Sequence, residues 1–144
     1  MNDPSTRRVL VLGWILLAVF LPLGMTLEAL HALKCPVYLG SAVRRELWTL
    51  AHAHGNLLGI LCLVFASLAE RAISDAAARR TIARSLSAGA IAMPVGFFLG
   101  GILNSEGDPS LGILLVPLGG IFLLHGLLRA ALAAKTPADS SEPR

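Results

Sequence analysis

Four apolar runs dominate the sequence, and each is about as long as a bilayer is thick. A transmembrane helix needs about 20 mostly apolar residues. Runs over 9–27, 47–68, 86–103 and 111–134 meet that length. With their ends included, the predicted helices cover about 9–30, 47–70, 85–104 and 111–134. Polar stretches separate them: Lys34 to Glu46, Glu70 to Arg84 and Asn104 to Ser110. The expected architecture is an all-α integral membrane protein, a four-transmembrane-helix bundle forming one domain over 1–134. Residues 135–144, rich in Pro, Ser and acidic groups, read as a disordered tail. Arg7 and Arg8 precede the first run, as basic residues precede a signal peptide's apolar core. The run is too long for such a core and no small-x-small cleavage site follows it, so it reads as a retained span.

Composition agrees. Hydrophobic residues make up 55% of the chain and charged residues 15%, with mean hydropathy +0.71, whereas soluble domains average about 25% charged. This excludes a DNA-binding domain, a wholly disordered chain and a secreted disulfide scaffold. The net charge of +3 and pI near 9.4 do not mark a nucleic-acid partner, because the basic residues flank the apolar runs. Cys35 falls in a loop and Cys62 inside a run, so the two are expected at different depths and unpaired.

The flanking charges set orientation. Arg7, Arg8, Arg71, Arg79, Arg80, Arg84, Arg129, Lys135 and Arg144 fall on one side of the expected serpentine. Lys34, Arg44 and Arg45 fall on the other. The positive-inside rule then puts both termini and the second connection in the cytoplasm. The third connection carries only Glu106 and Asp108 and faces outward. The expected location is the inner (plasma) membrane, with the bilayer itself, a second copy or a larger membrane complex as partner.

Helix association in lipid relies on small residues that let backbones approach. Gly55 and Gly59, continued by Cys62 and Ala66, form such a stripe on the second span. Gly89, Gly96 and Gly100 form one on the third, and Gly112, Gly119 and Gly126 recur every seven residues on the fourth. Pro-x-Gly occurs at Pro22, Pro94 and Pro117, where proline removes a backbone donor and is expected to kink its helix.

Ionisable residues inside a span are costly and are functional candidates by default. They are Glu28, His31, His52, His54 and His125, with Asn56 as a neutral companion. Glu28 and His31 are three apart and share a face if the first helix continues past them. His52 and Asn56 are four apart on the small-residue face, which turns them inward. His54 lies about 200° round from His52, so the two cannot face one pocket. The expectation is a cluster of Glu28, His31 and His52 near the outer boundary, with Asn56 below it. Imidazole and carboxylate are metal ligands, so Glu28, His31 and His52 are candidate ligands for a divalent metal. With Asn56 they are candidates for holding a haem or quinone. A di-iron carboxylate site needs a second Glu-x-x-His and further carboxylates, which this chain lacks. His125, one turn before Arg129, reads as a polar contact near the inner boundary.

The segment from Thr49 to Gly59 has the pattern His-x-His-x-x-x-Leu-Gly, carried by His52, His54, Leu58 and Gly59. It resembles small uncharacterised bacterial membrane proteins. It is also similar to the haem-ligating helix of the haem-copper oxidase and nitric oxide reductase superfamily. That resemblance implies an axial haem ligand at His52 or His54. It covers one helix only, and the superfamily's copper-site histidines have no counterpart, which excludes haem-copper oxidase activity. No nucleophile motif, phosphate loop or metalloprotease motif is present. Three functions therefore stand side by side: a membrane protein with a metal, haem or quinone site in its outer half, an accessory subunit without chemistry of its own, and a solute or proton carrier acting as an oligomer.

Overall fold

The computed structural model describes residues 3–102, 104, 105 and 107–134. Glu106, Lys135, Arg144 and the tail expected at 135–144 lie outside the described residues. Six helical elements run in chain order: α1 (Pro4–Ala32), α2 (Pro36–Leu39), α3 (Ala42–Ala72), α4 (Ala76–Ile102), a 3-10 turn (Leu111–Leu114) and α5 (Leu115–Ala134). Four of them are long and apolar enough to cross a membrane: α1, α3, α4, and α5 with its leading 3-10 turn.

The helices outrun the apolar runs because their polar ends are capped. Asp3 accepts a hydrogen bond from the Ser5 N–H, and Pro4 supplies a preset first turn for α1. Ser41 accepts from the Arg44 N–H at the start of α3. Asp75 accepts from the Ala77 and Ala78 N–H groups at the start of α4. The first two stretches read as connections are thus largely helical. α1 stops where Cys35 N–H reaches back to the Leu30 carbonyl and Lys34 N–H to that of His31. This closing motif needs a left-handed residue, and Lys34 supplies it at φ 52°.

Neighbours in sequence are neighbours in space. α1 packs on α3, α3 on α4, and α4 on α5, while α1 also touches α4. The α1–α3 seam is cut to glycine depth. Gly13 meets the Gly59 carbonyl, Phe20 fills the notch at Gly55, and His52 fills the notch at Gly24. In the α4–α5 seam Gly89 lies against Leu123, Gly119 against the Met93 backbone and Gly126 against Leu86. The stripes at Gly55–Ala66 and Gly112–Gly126 are therefore interface stripes. Gly100 faces both Leu47 of α3 and Ile113.

Pro22 and Pro94 lie inside their helices. Pro117 does not kink α5: it occupies the first turn after Leu115, where a missing N–H breaks no helical bond. The core joins Val9, Leu16 and Phe20 to Leu58, Cys62, Ile82, Leu86 and Leu123. Outside it, large apolar side chains such as Trp14, Met25, Ile60, Ile121 and Leu128 are exposed. A belt of that kind is expected of a surface meant for lipid or another chain. On α5 only Gly119, Leu123 and Gly126 are buried.

Candidate functional site

α3 lies between α1 and α4, and its two histidines face opposite neighbours. His52 donates from Nδ1 to the Phe20 carbonyl of α1 at 2.7 Å. A carbonyl only accepts, so Nδ1 carries a proton in this contact, and in the neutral ring the lone pair is then on Nε2. The ring lies so close to Gly24 that a Cβ there would stand 2.5 Å from Nδ1 and 2.7 Å from Nε2. Asn56, one turn along α3, donates from its amide to the His52 main-chain carbonyl at 2.9 Å. Its Oδ1 is buried and has no partner among the described residues.

His54 repeats the anchoring on the other side. Its Nδ1 lies 2.9 Å from the Leu50 carbonyl, one turn back on α3, and donates to it. The ring packs on Phe97 of α4, with centroids 4.8 Å apart. The helical arithmetic separated the two histidines but did not name their neighbours. Those follow from α3 being the middle helix of the row.

Glu28 and His31 are exposed at the end of α1. The residue of α1 buried at that level is Leu27, and Glu28 stands off its stripe. His31 meets the buried Tyr38 of α2 edge-on at 6.3 Å, because α2 occupies the space beside the last turn of α1. Among the described residues no three His, Cys, Asp or Glu side chains come together as a metal ion would require. The imidazoles of His52 and His54 therefore have no convergent set of partner ligands among the described residues. His125 meets α4 rather than Arg129: its Nδ1 shares a 2.8 Å hydrogen bond with the hydroxyl of buried Ser85.

A second polar assembly, not foreseen from the sequence, closes the end of the molecule that carries α2. Tyr38 stacks on Trp48 at 6.3 Å, and Trp48 on Phe98 at 5.5 Å. Trp48 donates from Nε1 to the Phe98 carbonyl at 3.1 Å, and its ring fills the notch at Gly101. Arg44 lies over Trp48, its guanidinium carbon 5.7 Å from the ring centroid. It donates to the carbonyls of Gly101 and Val37 and to Asn104 Oδ1. Asn104 in turn donates to Ser41. One arginine thus ties α2, the start of α3 and the end of α4. The only sequence signal was Arg44 and Trp48 at i, i+4 on one helix face.

In comparisons with known proteins, no family model, curated protein or solved structure matches the chain.

Proposed function

We propose that the chain is a multi-pass protein of the inner (plasma) membrane with both termini on the cytoplasmic side. We further propose that it serves as an accessory subunit of a larger membrane complex, with the His-x-His pair as a structural clamp. One observation carries this reading: each histidine fixes Nδ1 on a main-chain carbonyl and lays its ring against a different neighbour. His52 meets Phe20 and Gly24 of α1, and His54 meets Phe97 of α4. A spacing of two on the middle helix is what gripping both sides requires. The open apolar faces of α5, which packs chiefly on α4 among the long helices, suit contact with other chains. The orientation rests on the asymmetry of basic residues. Reporter fusions after Asp75 and after Asp108 are expected to read opposite sides of the membrane. Extraction from native membranes in mild detergent, followed by native electrophoresis and cross-linking from α5, is expected to give a species with a second polypeptide in fixed ratio. A species containing this chain alone would refute the accessory role.

A second reading keeps a ligand role, as the resemblance to a haem-ligating helix implies. With Nδ1–H held by a carbonyl, Nε2 is in the state that binds iron or another metal, or accepts from a quinol hydroxyl. The remaining ligands would come from outside the described residues. A haem absorbance band lost in His52→Ala or His54→Ala supports this reading. A colourless, metal-free preparation from native membranes refutes it.

A further inference from the structure

At the opposite end from Arg44, a groove of about 1150 Å³ lies beside the first turns of α1 and α4. Arg8 lines it from α1, and Arg80 and Arg84 line it from α4. All three are exposed, and none makes a hydrogen bond or ion pair among the described residues. Arg79, also in the wall, is committed elsewhere: it holds Asp3 at 3.0 Å and donates to the carbonyls of Ile73 and Ser74.

The nearby carboxylates are engaged too. Asp3 binds Ser5 and Arg79. Glu70 accepts from the Asp3 N–H, and Asp75 accepts from Ala77 and Ala78. Three guanidinium groups without a hydrogen bond or ion pair among the described residues therefore line one space, which Asp3 and Glu70 line as well.

The groove changes character with depth. Arg80 and Arg84 are one turn apart, and Ser87 continues the same wall about 10 Å below Arg80. On α1, Leu12 lies one turn below Arg8. A second recess runs from Arg7 and Arg8 down to Val11 and Ile15, which are half exposed, at 50% and 52%. Cations at the rim, a hydroxyl at mid-depth and an open apolar wall beneath match a phosphate with acyl chains attached. Basic pockets between membrane helices bind anionic headgroups for this reason.

We propose that this groove and the recess beside it form a specific site for an anionic glycerophospholipid, its phosphate held by Arg8, Arg80 and Arg84 and its acyl chains lying along Leu12 in the groove and Ile15 in the recess. The proposal rests on the reading that the four long helices span a membrane. It does not depend on the accessory role.

The test uses the full chain in a mild nonionic detergent. Native mass spectrometry and thermal midpoints are read with phosphatidylglycerol, phosphatidylcholine or inorganic phosphate. Phosphatidylglycerol is expected to remain bound and to raise the midpoint. The double variant Arg80→Gln/Arg84→Gln is expected to weaken its binding about thirty-fold, at about a factor of five per arginine near a membrane surface. Arg129→Gln, outside the groove, is expected to leave binding unchanged. If the double variant does not fold, Arg8→Gln tests the other wall, with about a five-fold loss expected. Equal retention of both lipids, an equal effect of Arg129→Gln, or the same stabilisation by inorganic phosphate would each overturn the lipid site. Release of the chain from membranes by alkaline washing would instead overturn the spanning reading, and the detergent measurements would remain readable.

Discussion

A single methyl group added at Gly24 tests whether His52 is a clamp. The new Cβ would stand 2.5 Å from Nδ1 and 2.7 Å from Nε2, whereas non-bonded carbon contacts sit near about 3.5 Å. The ring must move by about 1 Å, and the 2.7 Å bond to the Phe20 carbonyl must then stretch past its useful range of about 3.2 Å. Overpacking costs about 1–3 kcal/mol, and an interhelical hydrogen bond in a membrane protein contributes about 0.6 kcal/mol, at most about 1.7. Against this, Ala in a helix interior gains about 1 kcal/mol over Gly. Gly24→Ala is therefore expected to cost about 2 kcal/mol net. In a His52→Ala background the space is vacant, and the same change becomes neutral or stabilises by up to about 1 kcal/mol. The coupling between the two positions is then about 2–3 kcal/mol. A double-mutant cycle by SDS titration in mixed micelles, followed by circular dichroism, measures it. Additivity within about 0.5 kcal/mol would show that the ring is not seated on Gly24.

Three further outcomes are expected. Gly119→Ala destabilises more than Gly126→Ala in the same unfolding assay, because its Cβ would meet the Met93 backbone nitrogen at 2.8 Å, whereas at Gly126 the nearest atom is a flexible Leu86 methyl at 3.1 Å. Lys34→Gly raises stability by about 1 kcal/mol, since a left-handed conformation costs a non-glycine residue about that much, and an unchanged midpoint would count against the strained α1 terminus. Hydrogen bonds from Ser5 hold the Asp3 carboxyl down at about pKa 2, with Arg79 adding to them. Its contribution to stability is thus complete above its ordinary value of 3.8 and is lost as the pH falls through about 2; Asp3→Asn is expected to remove that acid-side loss, measured as unfolding midpoints between pH 5 and pH 2.

The four long apolar helices were legible because length and apolarity alone decide them, with no knowledge of packing needed. The small-residue stripe of α3 was legible for a related reason: only a face with Gly55 and Gly59 lets α1 approach to backbone contact. The divergence of His52 and His54 follows from 100° per residue. Their partners do not, because the order of helices around α3 is a tertiary fact. Arg44 shows the limit most clearly. Its charge marks a membrane flank in the sequence, but its acceptors at Gly101 and Asn104 lie 57 and 60 residues away. Glu28 and His31 share a face as their spacing requires, yet α2 puts Tyr38 beside that face. A single helical turn inside a connection leaves no periodic signal. Pro117 was misread because the 3-10 turn over Leu111–Leu114 consumes the first residues of the fourth apolar run.

The row-like order of the helices has a consequence for how the chain is made. A nascent membrane protein leaves the ribosome from its N-terminus, and its spans enter the bilayer one after another before they associate. On the proposed spanning reading each new helix would find its main partner already delivered: α3 meets α1, α4 meets α3, and α5 meets α4. No long helix would then have to wait for a later one to complete its principal seam, and α5 would have no need to wedge itself between helices that have already closed. Synthesis can halt before Leu111 with the α1–α3–α4 contacts already available. The last span is then an addition to an assembled core, and its docking is a separate late step governed by the glycines of α4 and α5.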